Sequence, residues 1–222
     1  MPNPDAPTQL QPVRAAVFPL LVLCLALALC ACGGERKKED KITLSYGYDY
    51  GMPRAEVARK AVADTCPDDP DSLCRRQPAS LFKIQWEQRF RFRKDKLIAV
   101  ELKHRNTKEV QTLIDKWLDS GYRYMPTLVK CDGRELDILA MVKQYGRDTT
   151  RQAVQQFLKG TPLNATTTYI YGDFERKQAL LTGAKNHATV LARAPRDFIL
   201  IEESVNEESI TLTFTAPAAD KK

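Results

Sequence analysis

Nucleophilic or acid–base chemistry in this 222-residue chain would have to be built from its two histidines, His104 and His187, and from one cysteine with no near neighbour, Cys131. A Cys131 thiolate deprotonated by either histidine is the one activated nucleophile these residue types can form. The alternative for Cys131 is an inert, buried small hydrophobe. Neither histidine stands in a zinc-binding spacing, and there is no Cys-x-x-Cys pair, Gly-rich phosphate loop or Gly-x-Ser-x-Gly elbow. Glu202 and Glu203 are adjacent, so on a strand they face opposite sides, which argues against a carboxylate pair. Asp68, Asp69 and Asp71 are close in sequence but lack the glycine and distal glutamate that shape a calcium loop. No catalytic set, metal site or cofactor is expected from these patterns.

The densest charge feature lies elsewhere. Phe82, Ile84, Trp86, Phe90 and Phe92 fall on even positions, and Lys83, Glu87, Arg89, Arg91 and Arg93 on odd ones. Period two over this length predicts a strand. Lys94-Asp95-Lys96 is the expected turn, and Ile98, Val100 and Leu102 return as a second arm with Glu101 and Lys103 on the wet side. Lys83, Arg89, Arg91, Arg93, Lys103 and Arg105 then share one basic face. Arginine forks recognise carboxylate or phosphate, which makes this face a candidate partner-binding surface. Glu87, Glu101 and salt screening relieve the same charges, so an ordinary solvated face is the competing reading.

The first 34 residues state a location. One arginine, Arg14, precedes an apolar run from Ala15 to Leu29, followed by Leu29-Cys30-Ala31-Cys32-Gly33-Gly34, the layout of a bacterial secretory signal. The fifteen-residue run gives a helix of only about 22 Å against a hydrocarbon core of about 30 Å, so cleavage is favoured over a spanning anchor. Counting on to Cys32 lengthens it to about 27 Å, which keeps an uncleaved anchor as the alternative. Leu29, Ala31 and Cys32 resemble the lipoprotein pattern of Leu, a small residue, Ala or Gly, then Cys; Cys30 fills the place where Ala, Ser or Thr is usual. The resemblance to bacterial lipoproteins implies that Cys32 carries acyl chains such as palmitate. Gly33 after it implies delivery to the outer membrane, on its periplasmic face in the cell envelope.

Residues 1–31 are thus read as the signal peptide. Residues 32–41 form a tether, from Gly33 on all charged or glycine, with too little net charge to act as a membrane clamp. Removing the signal deletes Asp5 and Arg14 and leaves the formal charge at +6. That excess points to anionic partners such as lipid headgroups, cell-wall polymer or an acidic protein surface, and export argues against nucleic acid. In an oxidising compartment Cys66 and Cys74 are expected to form a disulfide, contributing about 2.5 kcal/mol by loop entropy.

The folded part predicts an α+β arrangement: an antiparallel sheet with helices packed on one face, divided into a helix–hairpin–helix module over 42–130 and a second module over 131–216, with a disordered tail at 217–222. Helices are expected over about 53–64, from an Asn106 cap with Glu109 to Gly121, and around Ile138–Tyr145 and Val154–Leu158, broken at Gly146. Glu175–Leu181 reads as a short helix, whereas Thr166–Tyr171, Ala188–Ala192, Phe198–Ser204 and Ser209–Thr215 read as strands. Gly51, Glu56 and Val57, followed by the hairpin, resemble the helix-and-hairpin modules of small outer-membrane lipoproteins and β-lactamase-inhibitor-like proteins, with Met52 where their cap hydroxyl stands. The expectation is a non-catalytic, membrane-anchored binding or scaffold protein. The alternatives are an envelope enzyme built on Cys131 and an inhibitor of a secreted enzyme. Metabolic labelling with a clickable palmitate should mark the chain, and Cys32→Ser should abolish the label; label retained in that variant would remove the anchor assignment.

Overall fold

The computed structural model describes residues 41–81, 83–119, 123–162, 164–175 and 177–221. The signal, Cys32 and the tether up to residue 40 lie outside the described residues. In chain order the elements are β1 (Thr43–Ser45), β2 (Tyr48–Asp49), α1 (Arg54–Ala61), β3 (Ala63–Cys66), β4 (Asp69–Arg75), β5 (Ala79–Leu81), β6 (Ile84–Arg93), β7 (Lys96–Arg105) and α2 (Lys108–Asp119). They continue with β8 (Tyr124–Cys131), β9 (Arg134–Leu136), α3 (Ile138–Leu158), β10 (Thr167–Asp173), α4 (Gln178–Gly183), α5 (His187–Arg193), β11 (Leu200–Val205) and β12 (Ser209–Thr215). No helix among the described residues is long and apolar enough to cross a membrane.

The hairpin is where the alternating pattern placed it. Lys94 and Asp95 both take positive φ, 49° and 59°, which lets a two-residue turn match the twist of its arms. Phe90 lies opposite Val100 and Gln88 opposite Leu102, and Trp86, Phe90, Val100 and Leu102 are fully buried on one side. Arg89 and Glu101 face each other across the other side.

From the hairpin the sheet grows in both directions, in the order β3-β4-β6-β7-β12-β11-β10-β8-β9, with β5 also pairing β6. The decisive pairing is β7 with β12, which sets Val100 opposite Phe214 and Leu102 opposite Leu212. The two halves of the sequence therefore share one antiparallel sheet, and residue 130, the expected module boundary, lies inside β8. Cys66 and Cys74, on the paired strands β3 and β4, have their sulfurs 2.11 Å apart, at disulfide distance.

The α+β class is as expected, but the helices divide between the two faces of the sheet. Phe90, Leu102, Ile201 and Leu212 pack in one apolar cluster with Val57 of α1 and Ile114 and Leu118 of α2. Leu128, Ile170 and Leu200 pack in a second cluster with Leu139 of α3, Leu180 of α4 and Val190 of α5. Leu200 and Ile201 are neighbours on one strand, so the two clusters lie on opposite faces.

Several local expectations are corrected. Residues 188–192 are helical in α5, because Asn186 caps it by accepting from the Thr189 N–H at 2.8 Å and alanines favour the helix that follows. Asn106 does not cap α2: Thr107 Oγ1 accepts from the Val110 N–H at 3.3 Å, and the Asn106 amide donates instead to the Asn206 carbonyl. Helix α1 stops at Ala61, short of residue 64, because Val62 turns left-handed and leads straight into β3. The pattern around Gly146 holds, since that glycine breaks α3 with φ 81°. Residues 217–221 are ordered rather than a loose tail: Ala218 and Ala219 are buried, Asp220 pairs with Arg93, and Lys221 donates to the last carbonyls of α5 at 2.8 and 3.1 Å.

Gly172 marks the tightest packing. A Cβ there would stand 2.6 Å from the Phe174 ring and 2.7 Å from Phe198, a pair whose centroids lie 5.4 Å apart. Gly172→Ala should lower unfolding free energy by about 1–3 kcal/mol in urea titration, the usual cost of overpacking. An unchanged midpoint would mean that the aromatic pair yields freely.

Candidate functional site

The basic face of the hairpin is mostly neutralised from within. Arg89 donates to both oxygens of Asp68, at 2.7 and 2.5 Å, and holds that carboxyl below its ordinary range. Arg91 pairs with Glu101 at 3.2 Å, and Arg93 pairs with Asp220 and donates to the Tyr50 hydroxyl at 3.2 Å. Lys83 lies in the turn between β5 and β6, outside the strands. Lys103 and Arg105 remain on the sheet face and make no ion pair among the described residues, with Thr211 and Ser209 opposite them on β12 and Glu87 opposite Lys103 on β6. Around them the face is hollowed into a depression of about 490 Å³ bordered by Arg75, Arg89, Lys103 and Thr211, and by the acids Asp68, Glu87 and Glu101.

The acidic loop at 68–71 is tied up locally. Asp69 accepts from the Ser72 hydroxyl at 2.5 Å and the Asp71 N–H at 3.0 Å. Cys66, Asp68 and Cys74 bring ligand atoms within 4.8 Å of one another, but both sulfurs belong to the disulfide pair, which removes their lone-pair charge from metal chemistry.

Cys131 ends β8 and is 1% exposed. The Thr167 hydroxyl donates to its sulfur at 3.4 Å, and its thiol points to Thr161 Oγ1 at 3.8 Å. His187 Nδ1 bonds to Thr127 Oγ1 at 2.9 Å. Thr127 is four residues along the same strand from Cys131, a separation of about 13 Å. Burial holds His187 below its ordinary range. His104 bonds to the Arg105 carbonyl through Nδ1 at 2.8 Å and meets the edge of Trp86. The structure thus joins Cys131 to neither histidine.

What it assembles instead is a cleft that the residue pattern did not announce. Strands β10 and β11 form its floor, α2 one wall, and the segment after α3 the other; its volume is about 680 Å³. Glu203 lines it at 5% exposure. Tyr169 stands opposite Glu203 in the strand register, and the Tyr171 hydroxyl donates to Glu203 Oε2 at 3.0 Å. Desolvation raises the Glu203 carboxyl to about 7; the Tyr171 hydrogen bond offsets part of the rise, and the charge of Asp115 adds to it. Asp115, on α2 at the rim, is also raised by desolvation. Burial, and then Glu203, push the Tyr171 hydroxyl far above its ordinary range. Among the described residues Asp115 has no hydrogen bond or ion pair, and Glu203 Oε1 accepts none. A desolvated acid near neutrality in a cleft is a recognised mark of function.

Glu202 and Glu203 do face opposite sides, as their adjacency requires, yet the acid that approaches Glu203 comes from a helix 88 positions earlier in the chain. The available signal was phase: Glu203 falls in step with Ile201 and Val205, on the apolar side of its strand. No protein-family model, curated protein or solved structure matches the chain.

The raised carboxyl fixes a sign. The folded state holds the Glu203 proton up to about pH 7, whereas an unfolded glutamate releases it near 4.5. Its contribution to stability is complete below about 4.5 and is lost as pH rises through about 7, on the order of 3 kcal/mol in all. Glu203→Gln should therefore gain stability over the parent chain as denaturation is repeated from pH 5 to pH 8. Parallel curves for the two proteins would contradict the buried acid.

Proposed function

We propose that this chain is a non-catalytic lipoprotein of the cell envelope, anchored through acyl chains on Cys32, that binds a protein partner on the open face of its sheet. The observation that carries the reading is the odd-numbered face of β6 and β7 with its continuation on β12, where Glu87, Lys103 and Arg105 are exposed although Ala99 is buried. No helix among the described residues covers it, and Lys103, opposite Glu87 in the register, and Arg105 make no ion pair there among the described residues. Its charges are of both signs, with Glu87 and Glu101 among the cations. That mosaic suits a protein surface of complementary pattern better than a uniformly anionic polymer, which the acids would repel. Inhibition of a secreted enzyme is one form this binding can take. An enzyme built on Cys131 finds no support, because its thiol is buried and its partners among the described residues are the hydroxyls of Thr161 and Thr167 rather than a histidine.

Lys103→Glu combined with Arg105→Glu should reduce recovery of the partner from solubilised envelope at least tenfold. Lys103→Glu sets like charge opposite Glu87, so a loss of stability up to about 1 kcal/mol is expected, and a urea titration beside the recovery assay separates it from loss of the partner. Undiminished recovery of every co-purifying protein would remove this face from consideration.

A further inference from the structure

The cleft over Glu203 lies on the opposite face of the sheet from the proposed partner surface, and its chemistry is different. Three carboxylates line it, from Asp115, Glu203 and Glu207, and among the described residues no lysine, arginine or histidine does. This is unusual placement in a chain with 34 basic residues against 28 acidic ones. Glu203 is 5% exposed; its Oε2 accepts from Tyr171, and its Oε1 accepts from no described residue and stays open to solvent, since the sealed side-chain atom without a partner among the described residues is Ser45 Oγ. The rings of Tyr169 and Tyr171 lie side by side on the floor, with centroids 6.4 Å apart. Leu158, Pro162 and Val205 give the cleft apolar surface.

We propose that this cleft binds an organic ammonium ligand, a primary or quaternary amine on an apolar stem. Each part of the ligand meets a matching group: the cation meets the Glu203 and Asp115 carboxylates and the faces of the tyrosines, and the stem meets Leu158, Pro162 and Val205. A bare divalent metal ion fits less well. Among the described residues the carboxylate oxygens of the three acids do not gather within 4.8 Å of one another, so they cannot supply a closed oxygen shell. A volume of about 680 Å³ is that of a small-molecule site rather than an ion site.

Binding is coupled to a proton. Among the described residues the groups acting on or opposite Glu203 are Tyr169 and Tyr171 from β10 and Asp115 from α2, Glu207 lines the same cleft, and none of these supplies positive charge. The incoming cation is the charge that lets Glu203 ionise, so at pH 6 the protein gives up the Glu203 proton as the amine enters. Affinity should then rise about tenfold between pH 6 and pH 8, following ionisation of a group near 7.

The test is isothermal titration calorimetry on the full-length chain in detergent, with cadaverine as the probe and 1,5-pentanediol as its uncharged counterpart. Cadaverine should bind saturably and the diol at least tenfold more weakly. Repeating the pH 6 titration in buffers of different ionisation enthalpy should show proton release. Glu203→Gln, which keeps the side chain's size, should lose at least tenfold in affinity together with the pH dependence. Asp115→Asn, at the exposed rim, should weaken binding without loss of fold, which guards against a folding defect in the first variant. No saturable heat with cadaverine, equal binding of the diol, or binding undiminished in Glu203→Gln would each overturn the proposal. So would saturable binding of a neutral oligosaccharide such as chitotriose in place of the amine. Partner recovery through Lys103 and Arg105 is read separately, so failure at one site leaves the other intact.

Discussion

The pairing of β7 with β12 is the constraint on which the rest of the molecule depends. It joins residues about a hundred positions apart, from Arg105 opposite Ser209 to Ala99 opposite Thr215. Closing so long a loop costs only slightly more entropy than closing a short one, because the cost grows with the logarithm of length. The return is large: Val100, Leu102, Ile210, Leu212 and Phe214 are all buried along this seam, each contributing about 1.5–3 kcal/mol of transfer free energy. Without it β6 and β7 would be an isolated hairpin, and the floor of the cleft would lose the strand that supports β11.

One seam therefore creates two unlike faces. On the open face the charges sit at the water boundary, paired by geometry but weakly stabilising, since exposed ion pairs contribute at most about 1 kcal/mol. They can be exchanged for a partner's charges at little cost. On the opposite face, beneath α2, an acid sits among apolar side chains, and there the same charge is expensive to hold. A glutamine at position 203 would serve the fold better above neutral pH, so the carboxyl is a feature that stability alone does not explain.

The hairpin and β12 were legible in the sequence because a strict two-residue period survives any tertiary context; Ile210, Leu212 and Phe214 could face the core in no other register. The same reasoning failed for residues 188–192. An apolar run of that length has no period of its own, and the cap that decides it, Asn186, sits before the run. The cleft was illegible for a different reason. Its acids come from α2, β11 and the turn after it, and sequence spacing carries no information about which helix lies across which strand. Glu203 alone gave a hint, through its apolar phase. The candidate basic face was readable as a set of residues, but its neutralisation by Asp68 and Asp220 depends on loop and tail positions that alternation cannot reach.

The central claim, that the helix-free stretch of sheet over β6, β7 and β12 is a partner surface, is tested most directly by photo-crosslinking from inside the intact envelope. A photoreactive residue at Thr211, in the middle of the open face, should yield one recurring protein adduct, and the same residue at Thr112, exposed on α2, should not. Equal labelling of the same abundant envelope proteins from both positions would contradict the account and leave the open face as solvated surface.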